Sequence, residues 1–279
     1  MTNLKVALAQ CRQTDNFDDN CQAVFEKLDE AAQQQVNIIC FPETQTVGYR
    51  VDVSTVETPV PIEQLEQVHQ KVADRCREAN MACILGTEIP LESDPTNGKP
   101  YNSALVISEH GNILGTHHKS KLTPMDATAY TTGNSCDTYE LFGVTVGVVI
   151  CFEGFRFPET TRECVRRGAQ VIFHPQNNTT RPMGWKIPVH HAMATTRAAE
   201  NTVWFATCNC VHVPHQNART MIIAPDGQVH ARLPMRSEAL LVADIDVEQA
   251  TRAMFLFDPA GCAEAMTKDA FQPHEYATQ

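Results

Sequence analysis

The sequence predicts a layered α/β domain, and three observations carry that expectation. Short apolar strands alternate with amphipathic helices in two separate blocks. Each block is finished by alternating, turn-separated runs of hairpin character. The 279 residues contain neither a repeat at short fixed period nor a linker that would split the chain.

Residues 4–9 alternate as a short strand, and 16–32 follow with Val24, Phe25, Leu28 and Ala31 at helical spacing. The apolar run 36–41 is a second strand that stops at Pro42-Glu43, so the chain opens on a β-α-β unit. Residues 61–80 repeat the helix pattern through Leu65, Val68, Val72 and Cys76, and 81–86 repeat the strand. The connection at 44–60, with Gly48, Tyr49 and Arg50, has the length of a segment that lines a site rather than one that merely joins elements. From residue 102 two alternating runs flank a turn at His110-Gly111-Asn112, and 123–134 reads as a loop.

The second block begins with the apolar run 144–150, a strand buried on both faces that ends at Cys151. Pro158 and Glu159 then open a helix, with proline in the first turn. A strand at 169–174, a polar loop at 176–184, a helix at 185–201 and a strand at 202–208 follow. Two alternating strands around Pro225-Asp226-Gly227 and a last strand at 239–245 complete the block. The stretch from 258 has little periodicity, which divides the chain into a domain at 1–257 and a tail at 258–279.

Composition excludes several classes. The 22 Lys and Arg against 33 Asp and Glu give a net charge of -11 and a pI near 5.4, with no extended basic run, which argues against nucleic acid or an anionic membrane surface as partner. No apolar run approaches the roughly 20 residues that span a bilayer. The 11 cysteines lie mostly inside apolar runs or on helix patterns, and the first ten residues lack a basic region followed by a long apolar core. Reduced thiols in a cytoplasmic protein are the expectation.

Three side chains with chemistry fall at strand ends: Glu43, Lys119 and Cys151. Singly each has a dull explanation, respectively a cap, a solvated strand residue and a core thiol. Together they have a joint purpose. A thiol needs a base to become a nucleophile, and an acyl centre under attack needs donors for its oxygen. Glu43 would take the thiol proton, and Lys119 would hold the oxyanion together with the backbone N–H of Phe152. Lys119 and a following helix N-terminus would favour the thiolate, whereas Glu43 opposes it, so a proton shared between Glu43 and Cys151 is the expected resting state. Cys208, Cys210, His212 and His215 raise a metal-binding alternative, but zinc sites space their cysteines two to four residues apart and add a separate histidine pair. Neither metal nor cofactor is expected.

The FPE segment at 41–43, the HHKSKL segment around Lys119 and ICFEGFRFPE at 150–159 resemble, in order and spacing, the three signature segments of the nitrilase superfamily of carbon–nitrogen hydrolases. RAAEN at 197–201 and the PDG turn at 225–227 extend the resemblance over nearly the whole chain. It implies a four-layer α-β-β-α sandwich of the nitrilase type and acyl transfer through a thioester, with Glu43 as base, Lys119 as oxyanion holder and Cys151 as nucleophile. It also implies a homodimer or larger homo-oligomer, with the tail as a candidate contact. Many members carry a second glutamate in the loop after the lysine. Here that position falls on Asp126, one methylene shorter, with Thr132 where proline is usual. True nitrilases usually show Trp after the cysteine, and Phe152 therefore favours an amide or N-carbamoyl substrate over a nitrile. Tyr49, Arg156, His174, Asn177 and Trp185 are the substrate-binding candidates, with Arg156 suited to a carboxylate. A nitrile hydrolase and an inactive scaffold of the same fold remain the alternatives.

Overall fold

A computed structural model describes residues 3–51, 62–94, 98–134, 136–178 and 181–252. The proposed tail lies outside these residues, as do residues 52–60 of the 44–60 connection.

The first block forms β1 (Asn3–Gln10), α1 (Phe17–Gln33), β2 (Ile38–Cys40), α2 (Ile62–Ala79), β3 (Ala82–Ile89), β4 (Tyr101–Ile107) and β5 (Ile113–His118). After the short α3 (Asp126–Ala129), the second block forms β6 (Thr138–Leu141), β7 (Val144–Val148), α4 (Phe152–Arg156), α5 (Pro158–Arg166), β8 (Val171–Gln176), α6 (Lys186–Asn201), β9 (Trp204–Asn209), β10 (Met221–Ile223), β11 (Val229–Arg232) and β12 (Ala239–Asp246). Asn16 caps α1 by accepting from the Asp19 backbone N–H, and Pro158 occupies the first turn of α5, where its missing N–H costs nothing.

The strands make two six-stranded sheets, ordered β12-β1-β2-β3-β4-β5 and β11-β10-β9-β8-β7-β6. Within them β1-β2-β3 and β7-β8-β9 are parallel, and the outer pairs are antiparallel. Strand alternation produces the layers. Along β1, Leu4, Val6 and Leu8 join the core between the sheets, while Ala7 and Ala9 turn to the core shared with α1 and α2. Along β8 and β9, Val171, Phe173, Trp204 and Ala206 face the same inter-sheet core, and Ile172 and Phe205 face α5 and α6. The result is an α-β-β-α sandwich, as the sequence leads one to expect.

Three features differ from the sequence reading. The loop at 123–134 contains α3, whose four residues are too few to show periodicity. A further helix, α4, begins directly after Cys151, ahead of the helix at Pro158. The strand β6 is added at the edge beside β7.

The two sheets are joined at one end. Val211 donates to the Cys11 carbonyl at 2.8 Å, and the Cys208 thiol reaches the carbonyls of Ala9 and Cys40 at 3.4 and 3.3 Å. At this end β2, β5, β7 and β8 all finish, because two antiparallel steps from β3 restore β5 to the direction of β2. Gly86 is required here, since a Cβ on it would lie 1.7 Å from the Pro42 carbonyl oxygen and push the Glu43 segment away.

Candidate active site

Glu43, just past β2, is 1 % exposed and fully committed on one oxygen. Its Oε1 accepts from Asn102 Nδ2 at 2.7 Å and from Lys119 Nζ at 2.6 Å, and its Oε2 accepts from the Asn177 backbone N–H at 2.8 Å. One lone-pair direction on Oε2 is left for an incoming proton. Lys119 directly follows β5 with no exposed surface, and it also donates to Asp126 Oδ2 at 2.9 Å. Two of its three N–H donors are thus used, and the third has no hydrogen-bond partner among the described residues.

Asp126 starts α3. It exchanges hydrogen bonds with Thr123, whose backbone N–H donates to Oδ2 at 2.9 Å and whose Oγ1 accepts from the Asp126 N–H at 3.0 Å, and it accepts the Tyr49 hydroxyl. This turn brings the loop close enough for the shorter aspartate to reach Lys119.

Cys151 has φ 46° and ψ -103°, a strained conformation for a residue with a Cβ. Its surroundings hold it there. Its N–H donates to the Pro175 carbonyl at 2.9 Å, while its carbonyl accepts from His174 Nε2 at 2.9 Å and from the Phe155 N–H at 3.2 Å. Gly154 lies directly over His174, where a Cβ would stand 2.7 Å from Nε2. The turn aims the thiol, 9 % exposed, at the end of the sheets, with Sγ 3.9 Å from the Asn177 carbonyl. Asn177 therefore bridges Glu43 and Cys151 through its own backbone. Its side chain is fixed in turn by Gln13 at 2.5 Å and His212 at 2.9 Å. The Phe152 N–H opens α4, where no intrahelical acceptor exists for it.

Burial sets the protonation of the cluster. It raises the Cys151 thiol well above its ordinary value, with the Glu43 charge adding and Lys119 only partly opposing. This corrects the expectation that Lys119 and the helix terminus lower that value: the protein interior penalises an anion more than one shared cation relieves it. Burial likewise raises Glu43 against Lys119. For Lys119 itself, burial would lower the value, but the charges of Glu43, Cys151 and Asp126 prevail and keep it an ammonium. Burial would raise Asp126 too, yet Lys119 and the Tyr49 hydroxyl hold it below the usual carboxylate range.

The sequence candidates sort by placement. His174 lies under Cys151 with both ring nitrogens engaged, by the Cys151 carbonyl and by Thr207 Oγ1 at 3.0 Å, and burial lowers it to about 4. It supports the junction as a neutral ring rather than facing a substrate. The Tyr49 hydroxyl is committed to Asp126, and Arg50 forks onto Glu88 with two contacts of 2.6 Å. Arg156 and Trp185 stand exposed outside the buried cluster, Trp185 at 58 %. Of the metal-binding alternative, Cys210 meets His212 at 3.0 Å while Cys208 turns away into the inter-sheet core, so Cys208 does not join them.

Glu153 escaped the sequence reading. Fully buried, it accepts from the Ile150 N–H at 2.5 Å and His117 Nε2 at 2.8 Å on one oxygen, and from the Ser120 N–H at 2.6 Å and Oγ at 2.7 Å on the other. It thereby fastens the Lys119 segment to the Cys151 junction. A lone charge within the apolar run ICFEGF was the available signal. Burial would raise Glu153, but His117 and these hydrogen bonds hold it at about 2, from an ordinary 4.5. A depressed carboxylate contributes stability above its unfolded value and loses it as pH falls through the folded one. Wild-type stability should therefore fall between roughly pH 4.5 and pH 2 in part through Glu153. In Glu153→Gln that acid-range loss should shrink, on a lower plateau at pH 7. Urea titrations at several pH values read both, and an identical pH dependence in the two proteins would remove Glu153 from this role.

A buried thiol beside a carboxylate and an ammonium, at a strained strand-to-helix junction of an α-β-β-α sandwich, defines an enzyme for acyl transfer through sulfur. The chain matches the carbon-nitrogen hydrolase family model over residues 5–254, and it belongs to that family. It is 26 % identical over 265 residues to omega-amidase NIT2 of Mus musculus, covering 89 % of this chain and 91 % of that one. With omega-amidase NIT3 of Saccharomyces cerevisiae it shares 25 % identity over 267 residues, covering 88 % of each. Among solved structures, an amidase from Nesterenkonia sp. superposes with a TM-score of 0.74 at 20 % identity, covering 88 % of this chain and 92 % of the other. A variant of that amidase, carrying the acetamide moiety of fluoroacetamide covalently on its active-site cysteine, superposes with a TM-score of 0.75.

Proposed function

We propose that this protein hydrolyses the carbon–nitrogen bond of a small linear amide, through a thioester on Cys151, with release of ammonia or an amine. The observation that carries this reading is the convergence of Glu43, Lys119 and Cys151 in one buried cluster, in a chain whose curated relatives include omega-amidases.

Glu43 Oε2 takes the thiol proton as Sγ adds to the amide carbonyl. Burial and the Glu43 charge raise the Cys151 thiol so that it needs a base, and burial raises Glu43 too, which makes it a stronger one. The carbonyl oxygen becomes an oxyanion held by the third N–H of Lys119 and the Phe152 N–H. Collapse breaks the C–N bond, and Glu43 returns its proton to the departing nitrogen. Water, deprotonated by Glu43, then adds to the thioester. A second oxyanion forms and collapses, and Cys151 leaves with the proton from Glu43. Asp126 acts through Lys119, fixing the ammonium by its hydrogen bond at 2.9 Å.

Intact-mass measurement after mixing with a panel of linear amides, N-carbamoyl compounds and nitriles tests the reading and ranks the substrate classes. An acyl mass on Cys151 from a linear amide is expected. Failure of every amide in the panel to acylate or turn over would overturn the reading. The same reading makes the chain a cytoplasmic homodimer or larger assembly with 258–279 as a contact segment, and sedimentation equilibrium against the 31.0 kDa monomer mass checks the assembly.

A further inference from the structure

A second pair of thiols stands apart from the nucleophile. Cys136, on the segment leading into β6, and Cys164, on α5, bring their Sγ atoms to 3.0 Å, and neither is bonded covalently. Their other polar contacts are the Thr160 carbonyl at 3.6 Å for Cys136 and the Val148 carbonyl at 3.9 Å for Cys164. Neither sulfur has a hydrogen bond to Glu43, Lys119, Asp126 or Cys151.

The two thiols are not equivalent. Cys164 is fully buried against the inner end of β7, whereas Cys136 is half-buried and reaches solvent. The hydrogen bond from Cys164 lowers Cys136, with His117 assisting against burial, and the same bond together with burial raises Cys164. The half-buried sulfur is therefore the more acidic of the two, and the fully buried one stands 3.0 Å behind it. This is the arrangement that thiol–disulfide exchange uses, with an attacking and a resolving cysteine.

We propose that Cys136 and Cys164 form a reversible dithiol–disulfide pair that exchanges with low-molecular-weight disulfides of the glutathione kind. The Cys136 thiolate attacks one sulfur of glutathione disulfide, the S–S bond breaks, and one glutathione thiolate leaves. Cys164 attacks the Cys136 sulfur of the mixed disulfide, the second glutathione sulfur is expelled, and the Cys164 proton goes to that departing sulfur. Two protein thiols are oxidised and one glutathione disulfide is reduced to two thiols. Closure needs the sulfurs to approach from 3.0 Å to about 2.05 Å. The cross-link spans 28 positions and encloses β6, β7, Cys151 and α4, so it tethers the strand that carries the nucleophile without touching the reacting groups.

Incubating the full-length protein with glutathione disulfide, followed by acid quench, alkylation and peptide mapping, tests this independently of amide turnover. The expected product lacks two hydrogens, joins the Cys136 and Cys164 peptides, retains no glutathione and reverts with dithiothreitol. Loop closure should raise Tm by about 5 °C. Cys164→Ser should stop at one glutathione on Cys136, and Cys136→Ser should give neither product at this site. A stable glutathione adduct in the wild type, joined peptides other than this pair, or the same oxidation in Cys136→Ser would overturn the proposal. An unchanged Tm after full conversion would overturn the stabilising tether.

Discussion

Cys151→Ala should lose amide hydrolysis by a factor of at least about 10⁴ in kcat/KM, because removing a nucleophile removes the covalent route itself. The fold should survive, since what holds the junction is backbone: the Cys151 N–H on Pro175, the Cys151 carbonyl under His174, and Glu153 on the Ile150 N–H. Far-UV circular dichroism and a urea curve like those of the parent, with no acyl adduct and no product, are the expected results. Turnover of any amide at the wild-type rate in the folded variant would refute the assignment of Cys151.

Lys119→Met should affect activity and stability together. Met fills much the same volume but leaves the carboxylates of Glu43 and Asp126 facing one another without their shared cation. Removing one partner of a buried ion cluster typically costs about 3–5 kcal/mol. Loss of the oxyanion donor should lower kcat by about 10²–10³-fold on top of that. Adding Asp126→Asn in the same chain separates the two effects. One carboxylate fewer should restore part of the stability while activity stays down, because the donor for the oxyanion is still absent. If the double variant recovered activity, Lys119 would be acting only as a structural counter-ion. If it recovered no stability, the repulsion argument would fail.

The strands were legible because burial on one or both faces leaves a period of two or an unbroken apolar run, as in 144–150 and in Leu4, Val6 and Leu8. The helices α1 and α2 were legible from the helical spacing of their apolar residues. What escaped is short or relational. The helices α3 and α4 have four and five residues, little more than a turn, and β6 is a four-residue edge strand. Glu153 reads in sequence as the residue after Phe152. Its importance lies in contacts with His117 and Ser120, 36 and 33 positions away, and no local pattern encodes them. The sequence offers Asn177 as a substrate-binding candidate, yet its backbone N–H and carbonyl are what meet Glu43 and Cys151.

The sequence by itself determined the kinds of group and their stations: a carboxylate, an ammonium and a thiol, each just past the end of an apolar strand in an α/β chain. Those facts follow from local patterning, which depends on which residues are neighbours along the chain. Only the tertiary structure decided that β2, β5 and β7 end together, that Asp126 reaches Lys119 despite its shorter side chain, and that burial raises the Cys151 thiol instead of Lys119 lowering it. Protonation depends on how completely water is removed and on which charges replace it, and both are properties of packing between distant segments.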